Sequence, residues 1–487
     1  MKSTLERRPS SILNYFSARQ AEWLGIFGLV ASAAWLFMEH LGRGALRDWD
    51  EATYAEVAKE IVSRHEWLTL YWQHQPFFEK PPLSFWLQAI LFQHFGVTEF
   101  WARFPSAMAG IGLIVLVFAL GRRLAGAPAG LLAGAVLLTT RGFDNIARQG
   151  MTDTLLCFCI YLALYGYVRL RHDNGRWLYQ VCAALACGVL VKGPAVLVVV
   201  LAIGLERGLH HDALPILGWR RWVTGSLIFL GIAAPWFLWM VLRYGENFIS
   251  VFAGHQLAAR ATQVLENSGG GPLYYLSEYL VGGLPWSVLL IPVFVWWLRR
   301  RDTRQLLIWC LAGTTLVLYS LISTKHGWYI LPVYPAVAIM TGIWISEITE
   351  NRRVLLPFAV VFLLAGIVTT GAMIYTRSGD ALAGQMAQLS ALAKKPGSPD
   401  PLLIIAKAGT EASTAPGTPT AVFYSGRTAK SFEIITDKAQ IARFIGSRGS
   451  VDAVIQNSAL RDVSSELDVA PIAQTELLTY ATLSLKP

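Results

Sequence analysis

Phe104–Gly121, FPSAMAGIGLIVLVFALG, carries no charged residue, and Arg122-Arg123 follow at once. Roughly 20 mostly apolar residues cross the hydrocarbon core of a bilayer as a helix, and basic residues stay on the cytoplasmic flank. The stretch therefore reads as a membrane span whose cytoplasmic end is Arg122-Arg123. Similar apolar runs recur on both sides of it, at about 22–39, 127–141, 153–170, 177–191, 194–208, 222–242, 280–298, 304–322, 328–346 and 354–375. About eleven helices are predicted.

The composition agrees. The 487 residues are 54% hydrophobic, and their mean hydropathy of +0.44 is too apolar for a soluble enzyme of this length. The net charge of +9 comes from clusters between apolar runs rather than from one basic face, which argues for membrane topology and against a nucleic-acid partner. With the N-terminus inside, Arg122/Arg123, Arg169/Arg171/Arg176, Arg207/Arg220/Arg221, Arg299/Arg300/Arg301 and Arg352/Arg353 are all cytoplasmic, and the alternation closes. The apolar run Trp23–Met38 follows Lys2, Arg7 and Arg8 but lacks a cleavage motif, so it reads as a retained first helix. The five cysteines fall inside or beside apolar runs and show neither a disulfide framework nor zinc spacing.

This topology puts residues 40–103, the Arg141–Thr152 loop, the Lys192–Pro194 turn, 243–279, Ser323–Trp328 and the chain after about Arg377 outside. Two domains follow from it: a membrane domain over 1–378, with its first outer loop at 40–103, and a small α/β domain over 379–487, where short apolar runs alternate with charged stretches. Asp48 to Tyr54 runs into a helical pattern (Tyr54, Ala58, Ile61, Val62), expected to lie along the membrane surface.

The ionisable residues of the outer segments are the candidates for chemistry. Asp48 and Glu51 can form a capping box, which leaves Asp50 as a carboxylate base for an acceptor hydroxyl. Glu79 and Lys80 precede the stiff pair Pro81-Pro82; Lys80 is suited to a phosphate and Glu79 to a divalent cation. Asp153 either caps its helix, pairs with Arg148, or orients an acceptor or metal from the same cavity. His255 and Arg260 lie between two apolar runs, and Lys325, His326 and Tyr329 begin a helix on the outer side; Lys192 is a further cation there. Carboxylates and cations on one face fit group transfer from a lipid phosphate. The rival reading is a secondary transporter for an anionic solute, which would hold its charges near the midplane on broken helices in repeated halves.

The words Asp50-Glu51-Ala-Thr-Tyr54-Ala55-Glu56, Phe78-Glu79-Lys80-Pro81-Pro82-Leu83 with Trp86, and Phe95-Gly96-Val97-Thr98-Glu99 followed by Ala102-Arg103-Phe104-Pro105-Ser106 resemble the lipid-carrier-dependent glycosyltransferases of the GT-C fold. That group contains the protein O-mannosyltransferases and the bacterial transferases that add 4-amino-4-deoxy-L-arabinose to lipid A. Asp153, Val191-Lys192-Gly193-Pro194, His255 with Arg260, and Lys325 with Tyr329-Ile-Leu-Pro332 extend the likeness. The resemblance implies an inverting glycosyltransferase of the bacterial inner membrane with its active site facing the periplasm. A sugar would leave an undecaprenyl phosphate donor for a lipid or glycan acceptor such as lipid A, with a divalent metal ion as candidate cofactor and no nucleotide cofactor. Asp50 and Asp153 would be catalytic; Lys80, Arg260, Tyr329 and Lys325 would hold the carrier phosphate; Glu79 and His255 would lie at the metal. The chain departs from the aminoarabinose transferases in being shorter, in having fewer predicted helices, and in a C-terminal domain with no counterpart recognised from sequence.

Overall fold

The computed structural model describes residues 18–209, 217–265, 268–349, 368, 381–394, 400–406, 418–433 and 437–486. Ten helices build the first half: α1 (Ala18–Met38), α2 (Asp50–Arg64), α3 (Leu83–Phe95), α4 (Glu99–Ala125), α5 (Ala127–Leu138), α6 (Arg141–Ala147), α7 (Asp153–His172), α8 (Trp177–Lys192), α9 (Val198–Leu209) and α10 (Trp219–Tyr244). A hairpin of β1 (Tyr71–Trp72) and β2 (Gln75–Pro76) lies between α2 and α3. Beyond α10 come a π-helical segment, Ser250–Ala259, and helices at Tyr274–Gly282, Leu290–Arg300, Leu306–Leu321 and Val333–Thr349.

Seven helical stretches among the described residues are long and apolar enough to cross a membrane, or eight if the bent pair Tyr274–Gly282 and Trp286–Arg300 is one span. The sequence predicts more. One reason is that α5 is a 12-residue helix, shorter than a bilayer crossing requires. Another is that α8 and α9 belong to one continuous helical stretch, Trp177–Leu209. Of the predicted span 354–375 only Val368 is among the described residues. Close backbone packing holds the bundle: a Cβ on Gly130 would meet Phe118 O at 2.5 Å, and one on Gly342 would collide with the backbone of Ala133. Small residues at such crossings let helices approach where no hydrophobic driving force separates protein from lipid.

The bundle has two chemically different ends. Arg122, Arg123, Arg169, Arg171 and Arg304 gather at one; Asp50, Lys80, Asp153, Lys192, Arg260 and Tyr329 gather at the other. At this second end α2 is not an open surface helix. Nine of its residues are buried, Glu51, Glu56 and Glu60 among them, because α3 covers one side and the C-terminal domain another.

That domain is a five-stranded mixed sheet in the order β4-β3-β5-β7-β6, with β3 (Leu402–Ala406), β4 (Ala429–Glu433), β5 (Ser450–Gln456), β6 (Leu467–Gln474) and β7 (Leu478–Leu485). β3 pairs in parallel with β4 and β5, while β7 runs antiparallel to β5 and β6. The short apolar run Ala421–Tyr424 lies in a helix, Thr418–Ser425, that carries the domain onto α2. Its Thr420 donates to Asp48 through both backbone N–H and hydroxyl, each at 3.1 Å. The Lys59 ammonium donates to Phe423 O at 3.0 Å, and the Tyr424 hydroxyl reaches Glu99 at 2.7 Å.

The first turn of α2 is fixed from the other side by a buried ion pair. Arg103 of α4 meets both carboxylate oxygens of Glu51, at 2.8 and 3.1 Å, and its remaining donors go to the carbonyls of Leu41, Arg43, Gly44 and Ala45. Glu51 also accepts the N–H groups of Arg47 at 2.7 Å and Gly150 at 2.8 Å. The capping box expected of Asp48 and Glu51 is therefore not what these residues make: Trp49 precedes the helix with no side-chain cap, Asp48 holds the C-terminal domain, and Glu51 holds Arg103. Burial alone would raise the Glu51 pKa, but the Arg103 charge and these hydrogen bonds outweigh it and keep it below its usual 4.5. Breaking a buried pair by removing one partner costs about 3–5 kcal/mol. Arg103→Ala should lower the thermal unfolding temperature of the detergent-purified protein accordingly. In the wild type this contribution is present above about pH 4.5 and is lost as pH falls through the lowered folded pKa.

Candidate active site

A cavity of about 1230 Å³ opens where α2, the Phe77–Pro81 loop, the start of α7, the end of α8, the π-helical segment, the helix at Leu306–Leu321 and the C-terminal domain meet. The Glu51 node aims Asp50 into it, since the two are adjacent in the first turn of α2. One helical turn on, the Tyr54 hydroxyl donates a hydrogen bond to Asp50. Burial, followed by the charges of Asp50, Asp153 and Glu79, pushes the Tyr54 hydroxyl well above its ordinary 10. Three carboxylates from three distant stretches of chain thus converge around one tyrosine.

Asp153 is the first residue of α7 and Lys192 the last of α8. Their side chains meet at 2.6 Å. The α-helical winding gives way there to a 3₁₀ stretch, Gly193–Leu197, and Gly193 adopts φ +61°, in the left-handed region that favours glycine. The other carboxylate oxygen of Asp153, Oδ2, is buried with no hydrogen-bond partner among the described residues. The Lys192 ammonium also lies 5.1 Å from the centre of the Tyr329 ring, and the Tyr329 hydroxyl accepts from Arg260 at 3.3 Å. His326 brings Nε2 to 3.5 Å from the same guanidinium, its ring stacked on Trp328 at 4.6 Å. Opposite them the Lys80 ammonium donates to Gln256 at 3.2 Å. Burial first, then the positive charges of Lys192 and Arg260, lower the Lys80 pKa from 10.5 against the pull of Asp50 and Glu79. The cavity therefore holds a cationic side of Lys80, Lys192 and Arg260 next to the carboxylates of Asp50 and Glu79, with Asp153 paired to Lys192.

Of the residues singled out from sequence, Asp50, Glu79, Lys80, Arg260 and Tyr329 line this cavity, and Asp153 joins it through Lys192. Two lie elsewhere. Lys325 is buried and donates to the carbonyls of Ser320 and Ile322, at 3.1 and 2.5 Å, closing the end of the preceding helix. His255 is exposed, while its neighbour Gln256 is buried and faces Lys80; within a helix, adjacent side chains point to different faces. Among the described residues no three His, Cys, Asp or Glu side chains are grouped as metal ligands would be; of the two implied metal residues, Glu79 lines the cavity and His255 does not. Arg148, a possible partner of Asp153, donates instead to the carbonyls of Leu36 and Glu39 at the end of α1.

Sequence reasoning named Tyr54 and His326 without giving either a role, and passed over Gln256. Tyr54 carried a signal, standing four residues after Asp50 on one helix face. Gln256 carried none, because its inward aim depends on the wide turn of the π-helical segment, a form often found at functional sites. The charges at the helix ends also differ from the midplane arrangement expected of a secondary transporter.

The chain has the GT-C fold of the lipid-carrier-dependent glycosyltransferases. Residues 79–239 match the family described as dolichyl-phosphate-mannose-protein mannosyltransferase. The structure is similar to that of ArnT from Cupriavidus metallidurans bound to undecaprenyl phosphate, with a TM-score of 0.77 at 20% identity over 96% of this chain and 98% of that one. A likeness this extensive takes in the C-terminal domain, which has a structural counterpart there although the sequence revealed none. The archaeal oligosaccharyltransferase AglB from Archaeoglobus fulgidus, in complex with an inhibitory peptide and a dolichol-phosphate, matches with a TM-score of 0.61 at 12% identity, over 95% of this chain and 74% of that one. In sequence, the undecaprenyl phosphate-α-4-amino-4-deoxy-L-arabinose arabinosyl transferase of Pectobacterium carotovorum is 27% identical over 324 residues, 62% of this chain and 56% of that protein. An uncharacterised protein of Aquifex aeolicus is 28% identical over 68% of this chain and 66% of its own length. The chain thus matches only a little over half the length of the arabinosyl transferase.

The Asp153–Lys192 pair has its own test. Asp153→Asn leaves a buried ammonium without its counter-charge and should lower stability by about 3 kcal/mol, whereas combining it with Lys192→Met should recover most of the loss. Thermal unfolding of the two single variants and the double variant measures this coupling directly.

Proposed function

We propose that this protein is a membrane glycosyltransferase that takes a sugar from a polyprenyl phosphate, undecaprenyl phosphate in bacteria, and transfers it with inversion to an acceptor such as lipid A or another glycan. The carrying observation is that Lys80, Lys192 and Arg260 share one cavity at one end of the bundle with Asp50 and Glu79, Asp153 pairing with Lys192 there. The positive-inside distribution supports a location in the inner membrane with this end on the periplasmic side, since the arginine clusters lie at the other.

The chemistry follows from the placement. Lys80 and Arg260 hold the carrier phosphate, with Tyr329 orienting the Arg260 guanidinium and Lys192 adding charge to the same side. Asp50 accepts the proton of the acceptor as its oxygen attacks the anomeric carbon; the bond from that carbon to the phosphate oxygen breaks, and the electron pair leaves with the polyprenyl phosphate. The extra negative charge on the departing phosphate meets cations already in place, so it is stabilised without reorganisation. Tyr54, held protonated, orients Asp50. Asp153 keeps Lys192 charged and positioned.

Transfer from an undecaprenyl-phosphate-linked sugar by the purified protein, followed by mass spectrometry of the acceptor, tests the proposal. Asp50→Asn should reduce transfer on the order of 10²–10⁴-fold, the usual contribution of a positioned general base. Full activity in that variant contradicts the assignment of Asp50.

Lys80 gives a pH test. Its lowered pKa means that it loses its charge earlier in the alkaline range than an ordinary lysine. Carrier binding should therefore weaken as pH rises through that value, and Lys80→Arg, which stays charged, should bind the carrier at a higher pH than the wild type. An identical alkaline limit in both proteins removes Lys80 from the phosphate site.

A further inference from the structure

At the end of the bundle away from the active site lies a second cavity, of about 690 Å³, that the proposed reaction does not use. Its wall takes in the ends of α4 and α7 and the Thr303–Leu307 segment, and carries Arg122, Arg123, Arg169, Arg171 and Arg304 against a single acid, Glu22 of α1. Each guanidinium is held. Arg122 meets Glu22 at 2.6 Å, Arg123 and Arg169 share Asp173, Arg171 meets Glu206 at 2.7 Å, and Arg304 meets Asp302 at 2.9 Å.

Asp173, Glu206 and Asp302 do not line the cavity. They anchor the arginines from outside the wall, so the concave surface itself presents five cations and one acid. The positive-inside tendency explains why arginines collect at this end. It does not explain why helices distant in sequence arrange five of them around one hollow; Arg299 and Arg301 obey the same tendency and do not line it. A guanidinium offers five N–H donors in a planar fork that matches phosphate oxygens, and one carboxylate does not saturate it. Apolar residues of the spans, Phe118, Val168 and Leu307, complete the wall. Basic hollows between transmembrane helices on the cytoplasmic side suit anionic lipid headgroups.

We propose that this cavity binds the phosphate of an anionic phospholipid headgroup, tying α4, α7 and the Thr303–Leu307 segment together at the membrane surface. Arg122 and Arg304 are the accessible members, 56% and 72% exposed at their side chains. Their removal leaves the Arg123–Asp173–Arg169 and Arg171–Glu206 links intact. The site stands apart from the active-site cavity, so its fate is independent of the transferase reading.

The test uses the full chain in neutral detergent, with dioleoyl phosphatidylglycerol, dioleoyl phosphatidylcholine or inorganic phosphate added. Binding is read by native mass spectrometry and thermal unfolding. Phosphatidylglycerol should be retained and should raise the unfolding temperature, while phosphatidylcholine and inorganic phosphate should not. Arg122→Gln with Arg304→Gln should weaken phosphatidylglycerol binding on the order of tenfold, as expected for losing charge-assisted hydrogen bonds. Arg299→Gln with Arg301→Gln, which removes the same charge outside the hollow, should change it little. Equal binding of both lipids, equal effects of the two double variants, or an equal shift with inorganic phosphate alone would each overturn the proposal.

Discussion

A carboxylate removed from water must find its counter-charge inside the protein, and Glu51 finds Arg103. This pair joins the first turn of α2 to α4, and the Gly150 N–H joins both to the loop before α7. Asp50 and Asp153 owe their common cavity to it. Asp50 sits one residue before Glu51, and Asp153 three residues after Gly150, so one fully hydrogen-bonded ion pair sets the spacing between two acids that are a hundred residues apart in the chain. The C-terminal domain closes the arrangement through Asp48, Lys59 and Glu99. The domain therefore belongs to the wall of the site rather than hanging from it, and Thr418, Ser431, Phe432 and Asp437 line the same cavity.

The electrostatic division of the molecule follows the membrane. One end carries paired arginines around a second hollow; the other carries lysines, an arginine and carboxylates around a large cavity. In the active-site cavity no single lysine is unusual. The proximity of Lys80, Lys192 and Arg260 is, because the two neighbouring positive charges add to burial in lowering the Lys80 pKa. Such a site suits a ligand that brings negative charge.

Much of this was legible in the sequence. Uncharged runs closed by arginine pairs marked most of the spans, since burial in lipid leaves few alternatives. Asp50, Glu79 and Lys80 stood out because charge beside an apolar run demands a reason. What could not be read was three-dimensional: α2 is buried because a domain more than 350 residues later folds over it, and Gln256 rather than His255 faces Lys80 because a π-helical segment sets the angle. Lys325 has the same charge and neighbourhood as a phosphate ligand, yet it closes a helix. Charge alone does not distinguish these two uses. Among the described residues fewer helices are long enough to cross a membrane than the sequence suggests, for a similar reason: an apolar run of twelve residues fills a protein interior as readily as part of a bilayer.

The central claim is that the Lys80, Lys192 and Arg260 side of the cavity exists to hold a phosphate at the end of a polyprenyl chain. The most direct measurement compares undecaprenyl phosphate with undecaprenol, the same chain without the phosphate, for binding to the full protein in lipid nanodiscs. The account predicts saturable binding of the phosphate form, weakened by salt, and much weaker binding of the alcohol. Equal affinity for the two would mean that the protein recognises the hydrocarbon and not the charge, and would contradict it.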